Sequence, residues 1–185
     1  MTSRRDYYRD PAAPEVNSLV PGGSALIVDD SGAVLMQRRS DSGNWSFPGG
    51  TMDIGETLER CVVRETKEET GLDIEITRLL GIYTDPEHVI AYADGEVRQE
   101  FNITFYGRVI GGSLEVSAES TEVRFLTPTE LETVPIHETV RLRLRNHAEQ
   151  RPQPRRAWDP WLLLWLLAGD AVTVAVKLSR ISRLT

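Results

Sequence analysis

Residues 47–72 read FPGGTMDIGETLERCVVRETKEETGL, and the helix inside this stretch decides the fold. At 100° per residue, Leu58, Cys61 and Val62 share one face, as a core-facing stripe does. One turn later Glu65, Glu68 and Glu69 occupy the same stripe, while Arg60 and Lys67 point away. Carboxylates at i, i+3 and i+4 repel by about 0.2–0.5 kcal/mol per exposed pair, and partial burial adds desolvation to that cost. Such a cluster persists at little cost when a cation sits against it. Hard oxygen ligands suit magnesium, manganese or calcium.

The helix is bounded by local chemistry. Thr57 is a natural N-cap, and Gly71 after Thr70 supplies the left-handed stop. Upstream, Ser24–Val28 and Ala33–Gln37 read as strands flanking Asp29-Asp30-Ser31-Gly32, which predicts a hairpin. Trp45-Ser46-Phe47 is a short extended piece ended by Pro48-Gly49-Gly50. Downstream, Ile74–Tyr83, Val97–Val109 and Glu122–Leu126 read as strands, and Pro128–Leu131 and Ile136–Asn146 as short helices. A marked helix between strands, with helices after the sheet, predicts a mixed α/β sandwich.

The pattern G-x5-E-x7-R-E-U-x-E-E-x-G-U, with U a bulky aliphatic residue, fits Gly50, Glu56, Arg64, Glu65, Glu68, Glu69, Gly71 and Leu72 in register. The single departure is Thr66 at the first U, a matter of local packing. In this the chain resembles the Nudix hydrolases. The resemblance implies the Nudix fold, an α/β/α sandwich with a mixed central sheet. It further implies hydrolysis of a diphosphate bond in a nucleoside diphosphate linked to another moiety, either a nucleotide sugar such as ADP-ribose or a (d)NTP. The rival class is a non-catalytic, nucleotide-binding Nudix-like regulator, which has no need of all three glutamates.

The implied cofactor is Mg²⁺ or Mn²⁺, held by Glu68 and Glu69 and by the carbonyl of Gly49. Glu65 is either a third ligand or the catalytic base. The base can also come from a later loop, where Glu119 is the leading acid and Glu100 and Glu122 stand behind it. Gly50 permits a tight turn and close approach. Glu56 and Arg64 form a strut for the loop, and Gly71 ends the helix. For substrate, Arg38, with Arg39 beside it, is placed to meet phosphates. Trp45 is a stacking or a core side chain. Tyr83 precedes an Asp85-Pro86 turn, near where some ADP-ribose-cleaving members carry a proline. His88, His137 and His147 share no spacing and read as surface residues, and Cys61 reads as a small buried one.

Composition sets the outer limits. The 185 residues fit one domain plus an appendage. Residues 1–16 form a lead-in, loosely ordered or lying on the surface, with breakers continuing to Pro21-Gly22-Gly23. The hydrolase domain spans 17–148, a Pro/Arg-rich linker 149–160, and an apolar, basic tail 161–185. One cysteine excludes an internal disulfide framework and fits a cytoplasmic location, as does a polar N-terminus without an apolar signal core. Residues 1–140 carry 12 Lys+Arg against 25 Asp+Glu, whereas 141–185 carry 9 against 3. The acidic body disfavours long nucleic acids and leaves small nucleotides as substrate. The run 161–178 is nearly all apolar but holds Asp170, which costs roughly 2.5–3.5 kcal/mol at mid-membrane. It reads as a weak membrane-surface contact, a packing or homodimer element, or an accidental extension. Removing 151–185 is expected to leave hydrolysis intact.

Overall fold

The computed structural model describes residues 4–149 and the backbone of 153–154. Ten strands and three helices follow one another. They are β1 (Arg4–Tyr8), β2 (Ser18–Ile27), β3 (Val34–Arg39), β4 (Trp45–Ser46), β5 (Gly49–Thr51) and α1 (Leu58–Thr70). Then come β6 (Leu72–Tyr83), β7 (His88–Tyr92), β8 (Val97–Gly112), β9 (Ser120–Leu126), α2 (Pro128–Thr133), α3 (Glu138–Ala148) and β10 (Gln153–Pro154). The large sheet is mixed. It runs β1-β7-β8-β2-β5, with β6 also on β8 and β10 on β6. The β2–β8 pair is parallel, and β4-β3-β9 form a smaller antiparallel sheet.

Alternation along the strands divides the core in two. Ala25 and Ile27 pack with Phe105, Val62 and Leu72. Leu26 and Tyr106 turn to the opposite face and meet Trp45, Leu131, Ile136 and Val140. Helix α1 therefore covers one face and α2 with α3 the other, which gives the α/β/α sandwich expected from the sequence. Each fully buried aliphatic side chain contributes roughly 1.5–3 kcal/mol. Thr57 caps α1, its hydroxyl accepting from the Arg60 amide, and Gly71 ends it at φ 75°. Thr66, the departure from the box, is buried and donates its hydroxyl to the Val62 carbonyl at 2.7 Å.

Three expectations are corrected. The Ser24–Val28 and Ala33–Gln37 strands do not form a hairpin; a single antiparallel bridge joins Val28 to Val34. Asp29 tightens the turn by accepting from Ser31 and Ala33 amides, and the strands then part because each has better partners in its own sheet. The lead-in is not loose over Arg4–Tyr8, which pairs antiparallel with β7. Pro21-Gly22-Gly23 does not break the chain but lies within β2. Those glycines answer a packing need. A methyl at Gly22 would stand 2.9 Å from the Gly50 carbonyl, and one at Gly23 would collide with Val62.

No helix among the described residues is long and apolar enough to cross a membrane. The tail 161–178, with the membrane, packing and dimer readings attached to it, lies outside the described residues.

Candidate active site

The box loop and α1 face each other through backbone as much as side chain. Glu69, 5% exposed, accepts a 2.7 Å hydrogen bond at Oε2 from the Gly49 amide. Gly49 has φ 150°, and any side chain there would run into Gly23 and Ser24. At Gly50 a methyl would lie 2.6 Å from both Glu65 carboxylate oxygens. Both glycines are thus demanded by how closely the loop meets the glutamates.

Arg64 holds this loop to the helix. Its Nη2 donates to Glu56 Oε1 at 2.7 Å and to the Thr51 carbonyl at 3.3 Å, and Nε donates to Glu56 Oε2 at 3.2 Å. Nη1 donates to Glu65 at 2.7 Å and Glu68 at 3.2 Å. Glu56 is held at about 2 by the Arg64 guanidinium and the Asp53 amide. This is the strut read from the sequence, and it also grips two of the three helix glutamates.

The remaining charge is only partly compensated among the described residues. Burial pushes the Glu69 carboxyl up to about 7, against the pull of Gln37, the Gly49 amide and Arg39. Burial also raises Glu65, with Glu68 and Glu119 adding repulsion that Arg64 only partly offsets. Carboxylates raised by desolvation and by each other gain most from a hard cation. The donor set therefore fits magnesium or manganese.

A cleft of about 440 Å³ opens over this face, with Glu65, Glu69, Gly49, Gly50 and Glu119 in its walls. Glu119, far off in sequence, arrives because its carbonyl accepts from Ser40 across the β3–β9 end. Glu68 is 58% exposed, beside Arg64 at the rim, and does not line the cleft. Glu122 is paired with Arg124 at 2.6 Å, and Glu100 lines an adjoining cavity of about 140 Å³ instead.

Substrate residues fall differently from expectation. Arg38 is exposed, donates to the Gly43 carbonyl and does not line the cleft; its neighbour Arg39 does. Strand alternation separates the two, so a one-residue step decides which side chain faces the cleft. Trp45 is a core side chain, 3% exposed, with the Arg124 guanidinium 5.2 Å over its ring. Tyr83 is also buried, its hydroxyl accepting from Asn146 at 3.0 Å. Pro86 lines neither cavity. Arg4 and Arg98, which sequence reasoning missed, join Arg39 around the cleft. Arg4 had no local signal, because its place depends on β1 pairing with a strand eighty residues away.

The histidines are corrected as well. His88 is 4% exposed and stacks on His137 with ring centres 5.1 Å apart, while His147 meets the Tyr106 hydroxyl at 3.0 Å. Ligand atoms of Asp6, His88 and His137 lie within 4.8 Å of one another. This trio suits a brace better than a metal site. Arg4 already donates twice to Asp6, His137 caps α3 through Nδ1, and Arg4 and Arg143 add positive charge beside it. Cys61 is buried as expected, its thiol pushed up to about 12 by burial and by Glu56 and Glu65.

The fold and the acidic cleft together define a class, and comparison with known proteins agrees. The family profile for the NUDIX domain matches residues 19–169, running past the boundary placed at residue 148. A MutT-like protein of Streptomyces ambofaciens is 33% identical over 123 residues, 66% of this chain and 72% of that protein. An ADP-ribose pyrophosphatase of Methanocaldococcus jannaschii is 36% identical over 107 residues, 54% of this chain and 57% of that protein. The crystal structure of a MutT NUDIX hydrolase from Burkholderia pseudomallei superposes with a TM-score of 0.57 at 26% identity, covering 70% of this chain and 98% of that one. The chain belongs to the NUDIX family and is an enzyme of its pyrophosphohydrolase type.

Proposed function

We propose that the enzyme hydrolyses the diphosphate bond of a nucleoside diphosphate derivative, using Mg²⁺ or Mn²⁺ held at Glu65, Glu68, Glu69 and the Gly49 carbonyl. The observation carrying this reading is a pair of mutually repelling carboxylates, the buried Glu69 and the half-buried Glu65, facing an open cleft. When bound, the ion neutralises diphosphate oxygens and makes water a stronger nucleophile.

The chain's own residues do the rest. Arg39, Arg4 and Arg98 meet the anionic substrate and orient it across the cleft. Arg64 keeps Glu65 and Glu68 aimed while Glu56 fixes the loop. Glu119, exposed and opposite Glu65, is the leading group to take the proton from water; Glu65 is the other. Tyr83 packs in the core, and Trp45 is both a core side chain and part of the wall of the cavity beside the cleft.

A product screen over nucleotide sugars and (d)NTPs, with and without Mg²⁺, tests the reading. Metal-dependent release of a nucleoside monophosphate or of pyrophosphate is expected. Nucleotide binding without turnover across the panel would overturn it.

A further inference from the structure

Arg39 is gripped along one edge by Asp41. Strand β3 pairs with β9 as far as Arg38, and the register shifts between Arg38 and Arg39. A shift of this kind re-aims the side chain beside it. The chain then closes on itself. The Arg39 amide donates to the Asn44 carbonyl and the Gly43 amide to the Arg39 carbonyl, both at 2.9 Å, and Gly43 completes the turn at φ 70°. Within it, Arg39 Nε donates to Asp41 Oδ1 at 3.0 Å and Nη2 to Oδ2 at 2.5 Å. The two side chains are 23% and 20% exposed, so solvent and salt screen the pair less than an open surface pair.

A carboxylate is costly at this place. Both Arg39 and Asp41 line the cleft that already holds Glu65, Glu69 and Glu119, and Asp41 adds one more negative charge against an anionic substrate. Burial pushes the Asp41 carboxyl up, but Arg39 outweighs it, with Ser42 and Arg4 in support, and holds it below its ordinary value. It therefore stays ionised. What it does to Arg39 explains why it is there. A loose guanidinium among three carboxylates would pair with any of them, and Arg39 already pulls on Glu69. The Asp41 fork takes Nε and one Nη2 hydrogen, which fixes the plane of the group. Nη1 and the second Nη2 hydrogen form the other edge, whose geometry suits bidentate contact with phosphate.

The clamp recurs around the cleft. Arg4 donates from Nε to Asp6 Oδ2 at 3.0 Å and from Nη2 to Oδ1 at 2.8 Å, again two residues apart. Arg98 sets its Nε 2.7 Å from Glu96, two residues back. Three arginines from three strands thus line one cleft, each beside an acid at the same spacing. Within each pair the charges cancel, so fixed N–H direction matters more here than net charge.

We propose that Asp41 is a positioning residue for the substrate's diphosphate: it fixes the Arg39 guanidinium so that the Nη1–Nη2 edge is a preset donor to phosphoryl oxygens. The proposal rests on the hydrolase reading of the same cleft, with Arg39 contacting the substrate.

The test is steady-state kinetics at saturating Mg²⁺ on the panel nucleotide turned over fastest, with Asp41→Asn, Arg39→Lys and the double variant. Asp41→Asn keeps side-chain size and one acceptor while losing the charge and the second acceptor. It should raise KM about tenfold, the scale of one hydrogen bond to a charged group, and leave kcat nearly unchanged. A lysine has no fork to be held, so in the Arg39→Lys background Asp41→Asn should add nothing further to KM. A merely structural Asp41 would raise KM in both backgrounds. Thermal melts should place Asp41→Asn near wild type, since ion pairs of this kind contribute little. Glu75→Gln opens the exposed Arg108 pair and serves as the control, with KM unmoved.

An unchanged KM in Asp41→Asn would overturn the proposal, as would an equal rise in the Arg39→Lys background or a fall in kcat alone. Calorimetric binding of ADP with Mg²⁺ separates this inference from the reading beneath it. Hydrolysis with KM indifferent to Asp41 removes the clamp alone. ADP binding weakened about tenfold by Asp41→Asn, in a chain that hydrolyses no panel compound, removes the hydrolase reading and keeps Asp41 as the positioner of a bound diphosphate. Neither turnover nor ADP binding removes both.

Discussion

Arg64 reaches back to Glu56 through two hydrogen bonds, 2.7 Å from Nη2 and 3.2 Å from Nε, while its third nitrogen holds Glu65 and Glu68. One guanidinium thereby sets both the loop and the glutamates. Glu56→Gln keeps an acceptor but loses charge, and should lower kcat by about 10–100-fold, the range for outer partners of metal ligands. KM should change little. Steady-state kinetics at saturating Mg²⁺ checks this, and a pure KM effect would mean the strut serves binding instead.

Glu69 tolerates a neutral replacement structurally, because an amide oxygen can still accept from the Gly49 amide. Glu69→Gln should therefore fold as wild type and lose activity beyond the roughly 10–100-fold assigned to outer partners. Manganese titration followed by electron paramagnetic resonance should show weakened binding. Unchanged manganese affinity would remove Glu69 from the ligand set.

The same carboxyl predicts how the metal-free protein responds to pH. Burial lifts Glu69 from 4.5 to about 7 in the folded chain, so the folded state holds this proton more tightly than the unfolded state. Between about pH 4.5 and 7 the folded chain binds more protons, and stability falls as pH rises. The loss approaches about 3 kcal/mol above that window at 1.36 kcal/mol per unit. Denaturant melts in EDTA at pH 5 and 8 should show the fall, Glu69→Gln should flatten it, and Mg²⁺ should restore stability at pH 8.

Much of this site is legible in the sequence, for a physical reason. The glutamate face, the Arg64 strut and both helix ends are written in adjacent residues whose placement depends only on helical period and capping. Glu119, Arg39 and Arg4 are brought in by strand pairing, so their positions depend on partners far along the chain. Residues 4–8 and 88–92 are five-residue strands that make sense only against each other. Arg143 shows the same pattern as Glu69 with the opposite charge, an ionised side chain on an inward stripe with Val140 and Asn146. It stands between Arg141 and Arg145, and only the sheet beneath decides which arginine turns inward.

Gly50→Ala tests how closely the loop approaches the helix. Its new methyl would meet both Glu65 oxygens, so either Glu65 swings out or the loop lifts. Overpacking of this kind costs about 1–3 kcal/mol, which thermal melts should register. Activity should fall further than stability alone explains. Wild-type turnover in a well-folded Gly50→Ala would mean that the Glu65 position seen here is not the working one.

Strand β1 should matter to substrate binding although it begins the chain far from the box. It carries Arg4 into the cleft and seats Asp6 against His88, 3.4 Å apart. Burial pushes the Asp6 carboxyl up, but hydrogen bonds from His88 and Arg4 outweigh it and hold it well below the usual carboxylate range. Deleting residues 1–9 removes one cleft arginine and leaves the β7 edge unpaired, a template for association with other chains. The truncated chain should show a raised KM with kcat less affected, together with a lower melting temperature and a concentration-dependent shift on size exclusion. Arg4→Ala separates the two effects, because it should raise KM while the edge stays covered and the protein elutes as wild type. If Arg4→Ala leaves KM untouched while the deletion raises it, the strand acts only by supporting β7, and Arg4 leaves the substrate set.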